Sequence, residues 1–503
     1  MRHLTPQSKL VACLHTLLSF LFFPALAAAH TANLTWDAST SRVVGYNVYR
    51  GANPNGPYTK INSTLDPNTS YSDSTVQAGQ TYYYLTTAVD KDGVESAYSN
   101  QTEAVIPPGG SGSESALYSF AGGSDPKFPY AGLIFDNAGN LYGTTELGGV
   151  SNQGTVFEMT RNSEGIWTES VIYSFTGGAD GGQPSAGLVL DTAGNLYGTT
   201  NFGGSANCSL GCGTVFMLTP ASGGWAETVL YTFTGGADGR QPYARLLFDK
   251  AGNLYGTTAL GGNVGSVCSS GCGTVFKLTQ TSSGWAESVL HAFAGGADGV
   301  SPYDGLAFDA AGRLYGSTYA GGAYGAGTIF KLIRAAGGSW KEVVLHSFRD
   351  GSGGKNPYGD VFLDASGNVY GTAYQGGSRG YGVVFELLLT SSGGWTERVL
   401  HTFANTPSGN PVAGLVMDAT GTLFGSTVLG ATQTACGGGC GTLFKLTPVA
   451  GGGWSYQVVH LFGQGTDGYH PTGDLILDQA GDLYGTTQAG GAQGAGMVFE
   501  IMH

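Results

Sequence analysis

The sequence predicts an all-β chain, a small N-terminal antiparallel sandwich followed by a seven-bladed β-propeller closed by an N-terminal strand. Three observations predict it. Close copies of Gly-Asn-Leu-Tyr-Gly-Thr-Thr begin at Gly139, Gly194, Gly252, Gly312, Gly367, Gly421 and Gly481, each with an Asp three residues earlier (Asp136, Asp191, Asp249, Asp309, Asp364, Asp418, Asp478). Each copy runs through a Gly-rich loop into a GTVF-like stretch, and no helical periodicity is sustained in the array. Finally, the strand carrying Trp167, Trp225, Trp285, Trp340, Trp395 or Trp454 occurs six times, and its seventh copy stands at the front, where 116–120 (ALYSF) matches 171–175 (VIYSF). A ring explains that split, because an N-terminal strand then completes the last sheet and removes two open edges.

Taken in order, residues 1–29 read as a secretory signal, with Arg2 and Lys9 ahead of an apolar run that ends in small residues. An uncleaved anchor fits less well, because His15 and Pro24 interrupt a run already short for a membrane span. No later stretch is long and apolar enough to cross a bilayer. Without the signal, 19 Lys and Arg face 35 Asp and Glu, a balance of −16 that repels phosphate backbones and disfavours nucleic acid. Six cysteines remain, in pairs of one spacing: Cys208 with Cys212, Cys268 with Cys272, Cys436 with Cys440. In an exported chain these predict three small disulfide staples. A zinc site would need more ligands than two thiols.

Residues 31–107 alternate apolar and polar positions in short runs separated by turn residues. The stretches LTWDAST, GYNVYRG and AGQTYYYLTTAVDKDGVESAYSN resemble a bacterial fibronectin type III domain, which implies a sandwich used to space or present other domains. Residues 108–115 read as a Gly/Ser linker.

Residues 116–503 form the array. In the second repeat the strand candidates are 187–190, 195–200, 213–218 and 225–233, and the connection after the fourth always reaches a proline (Pro129, Pro184, Pro242, Pro302, Pro357, Pro411, Pro471). With their GNLYGTT, GG and GTVF elements, these repeats resemble the GloVer tandem repeat of exported bacterial proteins. The resemblance implies a secreted or cell-surface setting and brings no established catalytic residue.

Residues needed seven times are scaffold first. The Asp column therefore reads as turn structure, and calcium is a minor alternative, because each turn offers one carboxylate where calcium takes six to eight oxygens. No metal or other cofactor is expected. His291, His346, His401 and His460 share one column with Tyr118, Tyr173 and Tyr231, which reads as a packing position. Function is expected among residues that vary on the two longer loops of each repeat. The ligand-binding candidates are Phe128, Tyr130, Phe202, Tyr243, Tyr303, Tyr319, Tyr358 and Tyr374, with Arg245, which replaces the Gly of other repeats (Gly132, Gly187, Gly305); Arg240 and Lys355 rank second. The residue after each GTT-like run, Glu146, Asn201, Ala259, Tyr319, Tyr374, Val428 or Gln488, is singled out as the place to look. No catalytic residue is assigned. The expected function is a monomeric, non-catalytic binding or adhesion protein engaging an extracellular glycan or protein. A propeller-fold lyase or hydrolase and a structural matrix component are the alternatives.

Overall fold

The computed structural model describes residues 32–73, 75–76, 81–105, 114–391, 393–404, 408–430, 436, 439–463 and 466–502. The expected signal and residues 108–113 of the expected linker lie outside these. The described chain is all-β apart from one 3₁₀ turn, Gly296–Asp298, and none of its helical segments is long and apolar enough to cross a membrane. It divides into two compact units, one of the described residues of 32–105 with Ala480–Asp482 and Met502, the other of those of 114–479 with Leu483–Ile501.

In the first unit Ala32–Thr35 pairs with Ser70–Asp73, and a second sheet orders Thr59–Lys60, Gly45–Gly51, Thr81–Val89 and Thr102–Val105. Leu34, Trp36, Tyr46, Val48 and Tyr84 form its core, with the Trp36 and Tyr46 rings edge to face at 5.4 Å. One buried polar node ties this unit together. Asp73 accepts from Arg50 at 2.8 Å and from the Tyr84 hydroxyl at 2.9 Å.

Among the described residues the second unit holds seven antiparallel sheets of four or five strands built alike, with three two-stranded ribbons beside them. In the second repeat the strands are Val189–Leu190, Leu196–Thr200, Thr214–Ala221 and Gly224–Thr232. The first strand is shorter than the sequence suggests. The fifth sheet carries one more strand, Lys355–Pro357. In the seventh, the fourth strand is Glu114–Ser119, which pairs with Met497–Ile501 and begins inside the span read as linker. Its register shifts between Val498 and Phe499, as the second sheet's does between Val215 and Phe216, so the distant segment takes the place of the repeat's own fourth strand.

The repeated motif explains itself locally. The Asp191 carboxylate accepts from the Ala193 and Asn195 amides at 2.8 and 2.9 Å, from Asn195 Nδ2 at 2.7 Å and from the Tyr197 hydroxyl at 3.0 Å, closing the hairpin. Burial alone would raise its pKa, but these bonds hold it below the usual value. In the next strand Gly198 clears the face of Phe216, which is fully buried; a Cβ there would stand 2.6 Å from the ring. One residue on, Thr199 bonds the Pro242 carbonyl of the following sheet at 3.0 Å. Thr486 bonds Ala131 in the same way at 2.9 Å, joining the last repeat to the first.

Candidate functional site

The segments that follow the repeat prolines in all seven repeats line one cavity of 720 Å³. Between each proline and the first strand of its sheet, the chain presents two tiers of residues to it. One residue past the proline stand Tyr130, Ser185, Tyr243, Tyr303, Tyr358, Val412 and Thr472; three past it stand Gly132, Gly187, Arg245, Gly305, Asp360, Gly414 and Asp474. Every one of these except Gly305 and Gly414 is a lining residue, and Asp304, between the tiers, joins them.

The tyrosines form a continuous wall. Tyr303 meets Tyr243 at 5.5 Å edge to face and Tyr358 at 5.7 Å with nearly parallel planes, and the Tyr130 and Tyr358 hydroxyls are 3.2 Å apart. Tyr319 extends the wall from Tyr303 at 5.8 Å, and Tyr374 extends it from Tyr358 at 6.4 Å. Burial pushes the Tyr243 hydroxyl up to about 12, and Tyr130 and Tyr358 upward as well.

Below the wall, Arg245 pairs with Asp360 at 3.2 Å. Protein surrounds the guanidinium, yet 47% of its side chain stays accessible through the cavity. Asp360 also accepts from the Gly305 amide at 2.6 Å, and Asp474 accepts from the Gly414 amide at 2.6 Å. Burial, then the neighbouring Asp360, raise the Asp474 carboxyl above its ordinary value. Asp304 is buried, takes the Ser317 hydroxyl, and is pushed well above the carboxylate range by burial. Elsewhere this hydroxyl position bonds the next sheet's backbone, as at Thr199; Asp304 intercepts it in the fourth repeat.

Of the sequence candidates, Tyr130, Tyr243, Tyr303, Tyr358 and Arg245 line the cavity, and Tyr319 and Tyr374 adjoin it. Phe128 and Phe202 do not line it. Phe128 lies under the Lys127 ammonium at 4.5 Å, and the Phe202 backbone bridges Gly182. Arg240 and Lys355 are also elsewhere, Lys355 on Asp350 at 2.8 Å. Of the residues after GTT, Asn201 is buried on Ser185 at 2.8 Å, and the carboxyl of Glu146 is raised by burial. Sequence reasoning missed Asp304, Asp360 and Asp474. Their signal was in the column where Arg245 was noticed: Asp360 and Asp474 also displace its glycine.

The remaining candidates are structural in their contacts. Disulfides join Cys208 to Cys212, Cys268 to Cys272 and Cys436 to Cys440, each spanning 5.3 Å between Cα atoms. His291 and His460 reach Asp298 and Asp467 at 3.0 and 3.1 Å, as Tyr231 reaches Asp238 at 3.1 Å. His401 stacks on Tyr456 at 3.8 Å, and burial lowers its pKa to about 4.

A family model described as the Gloeobacter/Verrucomicrobia repeat matches residues 71–267 and 265–499. Over 80 residues the chain is 41% identical to an amylopullulanase of Thermoanaerobacter thermohydrosulfuricus, a match that spans 16% of this chain and 5% of that protein. An Fn3-like protein from Clostridium thermocellum is 40% identical over 16% of this chain and 79% of its own, with a TM-score of 0.15. The extracellular domain of a hybrid two-component system from B. thetaiotaomicron aligns with 77% of this chain and 39% of its own, at 10% identity and a TM-score of 0.47.

Proposed function

Since the chain belongs to the Gloeobacter/Verrucomicrobia repeat family, we propose that its seven sheets are the blades of a closed seven-bladed propeller in an exported protein that binds a glycan in the central cavity. The N-terminal unit is a fibronectin type III-like spacer in this reading, joined by a short linker. The pairing of Glu114–Ser119 with Met497–Ile501 supports closure, and the three disulfides suit an oxidising compartment. One observation carries the ligand class: a cavity of 720 Å³ walled by tyrosines above a tier of paired polar groups. Aromatic faces stack on the C–H faces of sugars, and carboxylates with a guanidinium take up hydroxyls. The likeness to a protein named amylopullulanase is in keeping with a carbohydrate setting.

A glycan array probed with the full chain tests this. Selective binding that weakens about 3- to 10-fold in Tyr243→Ala and Tyr303→Ala, with melting unchanged, is the expected result. Binding untouched by both substitutions removes the cavity assignment, and an array with no signal favours a structural matrix protein. A second reading, hydrolysis or lysis of the glycan, rests on Asp304, Asp360 and Asp474, a carboxylate set that occurs once and not seven times. Release of shortened product from a bound oligosaccharide would establish it.

A further inference from the structure

We propose that the cavity selects glycans bearing free amino groups, with the tyrosines on the sugar faces and Asp474 receiving an ammonium. This rests on the glycan-binding reading above and adds the charge of the ligand to it.

The argument is one of imbalance. Among the described residues, three carboxyl groups line the cavity, and Arg245 is the only basic one that does. That guanidinium is engaged at 3.2 Å by Asp360, so an incoming carboxylate or sulfate would have to displace a bonded partner. Asp304 accepts the Ser317 hydroxyl, and burial pushes its carboxyl well above the usual carboxylate range. Asp474 has one backbone donor, the Gly414 amide, and lies beside Asp360 and near the Arg245 guanidinium, which is itself bonded to Asp360. It is therefore the carboxylate that gains most from a cation. The tyrosine wall acts in the same direction, because aromatic faces are electronegative and attract ammonium groups. So does the field of the chain, which carries a formal charge of −14.

The surrounding repeats make room for this arrangement. A Cβ at Gly132 would stand 2.7 Å from the Asp474 carbonyl, and one at Gly305 would stand 2.6 Å from Asp360 Oδ2. The glycines of this tier thus accommodate the charged residues of the others, an arrangement confined to three of seven repeats.

Calorimetry of the full chain near neutral pH, with oligomers of glucosamine, N-acetylglucosamine, glucose and galacturonate, tests the proposal. The glucosamine oligomer is expected to bind about tenfold more tightly than its acetylated counterpart. Raising the salt concentration should narrow that gap, and Asp474→Asn should close it. Salt dependence of the unaltered chain decides the matter even if the variant melts early. Equal affinity for the amino and acetylated oligomers, or preference for galacturonate, overturns the charge selection and leaves the glycan reading standing. Binding of every oligomer that ignores Tyr303→Ala, or of none, overturns that reading instead.

Discussion

At Gly256 a single added methyl would meet the Phe276 ring at 2.6 Å, and Phe276 has no accessible surface. The backbone there is not in a glycine-only conformation, so the cost of Gly256→Ala is overpacking, about 1–3 kcal/mol. We expect its thermal midpoint to fall clearly below that of the parent chain; an equal midpoint would mean that the ring can move aside. The matching glycine in every repeat faces its own phenylalanine, which is why the Gly and Phe columns travel together. Such coupling is legible in the chain because it repeats. Asp304, Asp360 and Asp474 were harder to find, since they lie in different repeats and look like single departures from a small-residue column. Arg245 stood out by its charge on an acidic chain. Its partner Asp360 lies 115 positions away, a distance that no local spacing rule covers.

Among the elements, the segment Glu114–Ser119 has a role out of proportion to its length. It supplies the fourth strand of the seventh sheet, and Phe120, fully buried, packs edge to face on Phe157 at 5.1 Å. Removing 114–120 exposes the edge of Met497–Ile501 and empties the Phe120 site, a loss of about 3–5 kcal/mol from the phenylalanine alone. A strongly lowered melt is expected in calorimetry of the truncated chain, and an unaltered one would sink the proposed ring closure. The four strands of a repeat were readable from alternation and turns. The first was read too long, at 187–190 where Val189–Leu190 is observed, and the third too short, at 213–218 where Thr214–Ala221 is observed. The leading residues of 187–190 turn toward the cavity instead of pairing along their whole length, which sequence pattern does not distinguish from a strand.

Across the whole molecule, a half-buried glutamate recurs between neighbouring repeats: Glu114, Glu169, Glu227, Glu287, Glu342 and Glu397 are each pushed up to about 7. Burial is the main cause, and in all but Glu397 a nearby aspartate adds to it, as Asp238 does for Glu287. An acid whose folded pKa is raised favours the folded state while protonated. Its contribution is complete below the ordinary value of 4.5 and is lost as pH climbs through 7. The turn aspartates Asp191, Asp249 and Asp309 have lowered values and act oppositely, losing their contribution as pH falls below the ordinary 3.8. Thermal melts should therefore peak in mildly acid solution and decline between about pH 5 and pH 8; a midpoint that rises over that interval would contradict the assignment. Replacing Glu287 with Gln, which cannot ionise, should flatten part of that decline. Repetition along the chain is enough to establish an all-β array, its period and its scaffold columns, because a residue required by local geometry must reappear wherever that geometry does. Which of the varying residues meet is a different matter. Tyr130 and Tyr358 are 228 positions apart and touch through their hydroxyls, and that convergence follows from the way segments of distant repeats line one cavity.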